Sequence, residues 1–402
     1  MMDVNLLKKT LAAHKVYDAW QYVESLRETT GYMKASYEML VKVYNHRIDT
    51  LAEVERSILS EAHKTGKASC KTSDLNRTNL DIGGYEIDDS FFLRKTSIEF
   101  FHYARISMDV LFQIVNAALL GDDAIPVEDK GLLRKLLAKL ATKPEFGTLL
   151  QLIDNNKNDA RFQYLMAFDN YMKHIKTILV TVKNSIFIGK EKMFKINAFS
   201  YGGVEYAEED VLTKTHEIYD YIVQTLDDIL KEIVSQIPNC ISNSQRIQEI
   251  HYKFGFSEKG GKTYTDYLSF FIDVANDISD LPAEIKVYPL LMKPNDEIYS
   301  FDFRFNKIFI RKAGSEEDKI VGVATLKNGI ATNEVYRVFE VKACTQQDYG
   351  LYVATFKSAY PAMRLNLNLA AMDGVMLFIK DDVENANMEN PRDDEGVENK
   401  AE

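Results

Sequence analysis

Near Ile285 the hydrophobic pattern of this chain changes period. Before that point, apolar residues recur at steps of three and four over long stretches, as on one face of an α-helix. After it, short β-branched and aromatic runs alternate between turn residues, at the period of a strand. Eight prolines in 402 residues leave long helices uninterrupted. The pattern predicts an α+β chain: an N-terminal all-α helical bundle followed by a small antiparallel β domain.

Taken in order, residues 1–63 are expected to form a helical hairpin, broken at Thr29-Thr30-Gly31. Lys64 to Asp89 reads as a polar loop. The bundle proper is placed at 90–237. Its centre is the apolar stretch Phe91 to Leu120, interrupted by His102, Arg105, Asp109, Gln113 and Asn116. Burying such groups is costly unless they are paired. Arg105 and Asp109 form an intrahelical ion pair on one reading, or part of a polar line facing a site on the other. Pro126 to Leu140 is a short basic helix, and Ala207 to Ile237 another amphipathic one. Residues 238–284 read as a connecting segment, helical over Tyr264 to Ile278. The β domain is placed at 285–380, with strands at Glu284 to Leu291, Val335 to Ala343, Leu351 to Phe356 and Met376 to Ile379, among others, and an Asn328-Gly329 turn. Residues 381–402 are dense in acidic side chains and nearly free of large apolar ones, so that tail is expected to be disordered.

The chemistry concentrates in Asp159 to Ile186, which reads as one long helix. Leu165, Phe168, Met172, Ile175, Leu179, Val182 and Ile186 share one side. The other side carries Gln163, Asn170, His174, Thr177 and Thr181. That stripe is polar but uncharged in a chain where 27% of residues are charged, unlike a solvated face. Asn170 and His174, four apart, lie one above the other, with Lys173 beside them.

The segments FFHYARISMDVLFQIVNAALLG and FDNYMKHIKTI resemble the HEPN superfamily, over roughly residues 90 to 235. The resemblance implies a helical bundle, often dimeric, in a family with many RNA-cleaving toxins and defence proteins. The family motif is an Arg, four to six residues, then a His. His174 matches the His, while Ala167, Phe168 and Asp169 occupy the Arg window. Lys173 or Arg105 would then supply the positive charge, with His174 as acid or base and Asn170 orienting it. This implies a metal-independent endoribonuclease acting on RNA as a homodimer, with the β domain binding a protein or ligand partner. The alternative is a non-catalytic dimeric scaffold.

Other constellations compete. Arg246 and His251 have the motif spacing, as do Arg56 and His63. Glu340-x-Lys342 on a strand, with Asp302 upstream, resembles the centre of restriction-type nucleases. No cofactor is expected, since no phosphate-binding glycine loop or dinucleotide fingerprint occurs, and no metal site. Cys70, Cys240 and Cys344 are widely spaced, which fits a reducing cytoplasm. No apolar run is long enough for a membrane span. The net charge of −11 gives no general attraction for nucleic acid.

Overall fold

The computed structural model describes residues 4–14, 16, 18–69, 79–126, 130–178, 180–183, 193–240, 246–247, 250–259, 262–287, 290–292, 298–300, 306–314, 319–327 and 337–359. The chain is α+β, with helices in its N-terminal part and a β-sheet in its C-terminal part. It separates into two compact units. Met1–Leu7 and Tyr22–Ile241 make the first, Lys8–Gln21 and Ser242–Glu402 the second.

The first unit is built on long helices. α1 (Val4–Ala13) is divided between the units after Leu7, and α2 runs from Trp20–Thr65 without interruption, its first two residues counted with the second unit. The break expected at Thr29-Thr30-Gly31 is absent, so residues 1–63 are not a hairpin with its turn there. The Thr29 and Thr30 hydroxyls donate to the Leu26 carbonyl within the helix. A hairpin of β1 (Asn79–Ile82) and β2 (Tyr85–Asp88) replaces part of the expected loop. It leads into α3 (Asp89–Leu119), where the Asp88 carboxylate accepts from Phe91 N at 2.7 Å, a helix N-cap.

α3 lies antiparallel to α2. Arg47 meets Asp89, Tyr37 meets Phe100, Tyr32 meets Tyr103 and Thr29 meets Ser107, one number falling as the other rises. Three further helices follow: α4 (Leu132–Leu140), α5 (Gly147–Asn158) and α6 (Ala160–His174). Thus Asp159 to Ile186 is not one helix. α6 stops at His174, and β3 (Val180–Lys183) follows. The reason lies in Ile178-Leu-Val-Thr-Val182, a β-branched run in which Ile178 and Val180 are buried and Thr181 only half-buried, at the period of a strand.

β3 pairs with β4 (Met193–Ile196). A hairpin turning at Gly202-Gly203 is formed by β5 (Phe199–Tyr201) and β6 (Val204–Tyr206). Both glycines have positive φ, at 59° and 82°, as a two-residue turn of this twist requires. β7 (Glu209–Asp210) precedes α7 (Val211–Gln236). Asp210 caps α7 through Thr213 N at 2.9 Å, and Tyr44 on α2 donates to the same carboxylate at 2.9 Å. Ile218, Ile222, Leu226, Ile229 and Ile233 are fully buried along α7.

The second unit holds a sheet that, among the described residues, has seven strands. They are β8 (Arg246–Ile247), β9 (His251–Lys259), β10 (Lys262–Val274), β11 (Glu284–Val287), β14 (Lys307–Lys312), β15 (Ile320–Leu326) and β16 (Arg337–Ala343). The small pair β12 (Leu290–Met292) and β13 (Ile298–Ser300) stands apart. The order is β8-β11-β16-β15-β14-β10-β9. Two expectations are corrected here. The sheet begins well before residue 285, because Tyr264 to Val274 is strand and not helix. The sheet is also not purely antiparallel, since β10 pairs with β14 and β11 with β8 in parallel. Both parallel pairs join strands that are not sequence neighbours, so no tight hairpin dictates their direction.

The sheet is curled. Arg246 and His251 are five residues apart, a span of at most about 18 Å. They sit on its two outer strands, which a flat sheet would hold roughly 29 Å apart, six strand spacings of about 4.8 Å. The edges must therefore bend toward each other. One apolar cluster accordingly gathers Ile250, Phe270, Ile272, Ile285, Val287, Ile308, Ile310 and Phe339 from across the sheet. On the opposite face Phe271, Phe309, Ile320 and Tyr349 form a second cluster under α8 (Gln346–Ala359). α8 corrects the strand expected at Leu351 to Phe356. Thr345 and Asp348 bond reciprocally (Thr345 Oγ1 from Asp348 N at 3.2 Å, Asp348 from Thr345 N at 2.9 Å), a capping box that starts a helix. The Asn328-Gly329 turn, the Met376 to Ile379 strand and the acidic tail lie outside the described residues.

Candidate active site

A polar cluster of the first unit sits where α6 packs on α3. On α3, Lys95, Glu99, His102, Ile106, Asp109 and Gln113 follow each other at steps of four and three and are all at least partly exposed. They form one strip that the bundle leaves uncovered. The rest of the helix is core: Phe100, Phe101, Ala104, Met108 and Leu111 are fully buried. Arg105, at the edge of the strip, pairs with Asp109 one turn on.

α6 begins at a strong cap. Asp159 accepts from Arg161 N at 2.8 Å and also takes the Arg161 guanidinium at 2.9 and 2.7 Å. This holds the Asp159 carboxyl below its ordinary pKa. Phe162, Leu165 and Phe168 then pack inward, with Phe168 4.3 Å from Phe101 and Phe162 6.2 Å from Phe112 between ring centroids. These ring contacts set the height of α6 against α3.

At that height Asp169 lies opposite the polar strip. It is only 4% exposed. One oxygen is 3.0 Å from His102 Nδ1 and the other accepts from Lys173 Nζ at 2.6 Å. The two partners keep 42% and 44% of their side chains open to solvent. A buried carboxylate thus holds an accessible imidazole and an accessible ammonium side by side. Asp109 completes the group. Although 47% of its side chain is accessible, the surrounding protein desolvates it and pushes its carboxyl above the ordinary value. Arg105 and Lys173 pull it back and Asp169 pushes it up again. Asp169 therefore joins the imidazole to Lys173, and Lys173 and Asp169 act in turn on the Asp109–Arg105 pair.

Of the expected site residues, Arg105 and Lys173 belong to this group. Asn170 is half-buried beside it. His174 is exposed in the last turn of α6 and is not part of the hydrogen-bonded network. Asn116 does not extend the line, because its amide bonds Ile125 N and O, both at 2.9 Å, and ties down the loop after α3. His102 and Asp169 carry the geometry, and sequence reasoning did not place them in the site. The signal for Asp169 was present: an acidic residue beside Phe168 in an otherwise apolar turn.

The competing constellations look different in space. Arg246 and His251 lie on opposite edge strands. Arg56 and His63 are exposed on α2. Glu340 and Lys342 neutralise each other at 2.6 Å on the sheet surface, and Asp302 lies outside the described residues. Among the described residues no three His, Cys, Asp or Glu side chains are placed to hold a metal ion, and no helix is long and apolar enough to cross a membrane.

Residues 256–361, from β9 through α8, match the model of a family described as a domain of unknown function (DUF8310). No curated protein matches the chain, and no solved structure does. The match covers most of the sheet, leaving out β8 and the start of β9, and none of the bundle.

Proposed function

We propose that the bundle is HEPN-like and acts as a metal-independent endoribonuclease of the toxin or defence type, with His102 as its acid–base group. The observation that carries this is the half-exposed His102 imidazole held at Nδ1 by the buried Asp169. A carboxylate at Nδ1 fixes the orientation of the ring and leaves its other nitrogen to exchange a proton with substrate. In cleavage through the 2′-hydroxyl, the imidazole takes the 2′-OH proton as the 2′-oxygen bonds to phosphorus. The bond to the 5′-oxygen breaks, and that oxygen leaves with a proton from solvent or from a second protomer. In this reading Lys173 and Arg105 offset the charge that builds on the phosphate. In this reading a homodimer presents two such strips to one RNA, and the sheet unit binds a protein or ligand that controls it.

A second reading, a non-catalytic dimeric scaffold, is favoured by the charge balance. Arg105 and Lys173 already face Asp109 and Asp169, which leaves little excess charge for a phosphate. One experiment separates the two. The purified full chain is incubated with labelled RNA in excess EDTA, as wild type and as His102→Ala, Asp169→Asn and His174→Ala. The ribonuclease reading expects cleavage without metal and a loss of about 10²–10⁴-fold in His102→Ala. No cleavage by any variant, with a dimer in solution, leaves the scaffold. Loss in His174→Ala alone would move the acid–base role to the end of α6.

A further inference from the structure

Beside His102, at the edge of the strip, two tyrosine rings reach solvent. Tyr103 is half-exposed, its ring centroid 5.8 Å from that of His102. Tyr32 reaches over from α2 to within 5.2 Å of Tyr103, tilted by 41°. It leaves 52% of itself in solvent, among the more exposed large side chains of the first unit. Most other aromatic residues of α2 and α3 point inward: Tyr44, Phe92, Phe100, Phe101 and Phe112 are all buried. Two accessible phenol rings thus adjoin an accessible imidazole.

We infer that Tyr32 and Tyr103 are a stacking shelf for one unpaired base of an RNA strand whose neighbouring phosphate lies at His102. The inference rests on the ribonuclease reading and adds the class of substrate. A nucleotide joins a flat π-face to a phosphate, which matches rings beside an imidazole and two cations. Bases inside a duplex have no free face to offer, so the shelf selects single strands, loops or bulges. The charge count points the same way. With Arg105 and Lys173 offset by Asp109 and Asp169, phosphate contacts release few counterions, and stacking carries most of the affinity.

The test is fluorescence anisotropy of the full chain, carrying His102→Ala to stop turnover, with a short labelled single-stranded RNA and with the same sequence as a duplex. Single-strand binding is expected to be the tighter and to weaken only slightly with added salt. Tyr103→Leu and Tyr32→Leu, which keep bulk but remove the π-face, should each lower affinity roughly tenfold, while Tyr103→Phe should not. Helix circular dichroism checks that each variant is folded. Unchanged affinity in both leucine variants, equal binding of the duplex, or no RNA binding at all overturns the shelf. Failure of the ribonuclease reading is seen separately: ring-dependent binding of single strands, with no His102-dependent cleavage by the chain that carries His102, keeps the shelf and removes the catalysis.

Discussion

Asp169 on α6 holds His102 on α3 at 3.0 Å from a position that is 4% exposed. The contact joins two helices across the open polar strip of α3. It is also inexpensive to break, because His102 and Lys173 can turn to water. Asp169→Ala is therefore expected to cost only about 1–2 kcal/mol, the net worth of its hydrogen bonds. Phe168→Ala, one residue away in the core, should cost about 3–5 kcal/mol. Urea unfolding followed by helix circular dichroism compares them. Equal costs would make Asp169 a structural residue first.

Arg47 and Asp89 should behave differently from the site pair. Their side chains are 6% and 0% exposed and 3.5 Å apart. Removing one partner strands a charge in the α2–α3 interface. Arg47→Met alone is expected to cost about 3–5 kcal/mol, and Arg47→Met with Asp89→Ala clearly less than the sum of the two single changes. Additive costs in a double-mutant cycle would show that the two groups do not depend on each other.

How much of this was legible beforehand differs by element. α3 and α7 could be read from their spacing because apolar and polar positions follow one period to the end. α6 could not be ended correctly, since Ile175, Leu179 and Val182 continue the helical spacing while the residues around them are β-branched. β10 was read as a helix because Leu268, Phe270, Phe271, Ile272 and Val274 fit either period over a short window. Its neighbours, β9 along most of its length and β14 at its end, decide for strand. α2 passes Thr29-Thr30-Gly31 because packing along α3 outweighs the roughly 1 kcal/mol that one glycine costs a helix. Of the candidate site, the cations Arg105 and Lys173 were legible. The His102–Asp169 contact was not, because it depends on the height at which Phe168 settles against Phe101.

Two carboxylates are expected to tilt the stability profile in opposite directions. Asp109 is held above its ordinary 3.8, chiefly by desolvation. Between 3.8 and that higher value the folded chain binds more protons than the unfolded one, so stability falls as pH rises. Asp159 is held below 3.8, chiefly by its hydrogen bond from Arg161. Its contribution is complete above 3.8 and is lost as pH falls through the lower folded value. Asp109→Asn should remove the first slope. Asp159→Asn keeps a capping oxygen and should flatten the acid limb. Urea midpoints from roughly pH 3 to pH 7 test both, and slopes of the reverse sign would refute the assignment.

Among the described glycines, the tightest steric constraint is at Gly322 on β15. A Cβ there would lie 2.7 Å from Ile278 Cδ1 and 3.1 Å from the Lys342 carbonyl oxygen. The Ile278–Asp280 turn closes against this strand because position 322 has no side chain. Ile278 can rotate away, but the β16 backbone cannot without loosening the ladder in which Gly322 faces Ala343. Gly322→Ala is therefore expected to cost about 1–3 kcal/mol, as overpacking does. Ile278→Ala in the same chain should recover part of that cost, although alone it opens a cavity. Trp20, the single tryptophan, belongs to the same compact unit and is 2% exposed, so its fluorescence can follow the transition. If Gly322→Ala unfolds at the wild-type urea midpoint, the strand and turn are not in contact as described. If Ile278→Ala gives no relief, the carbonyl of Lys342 is the sole obstacle.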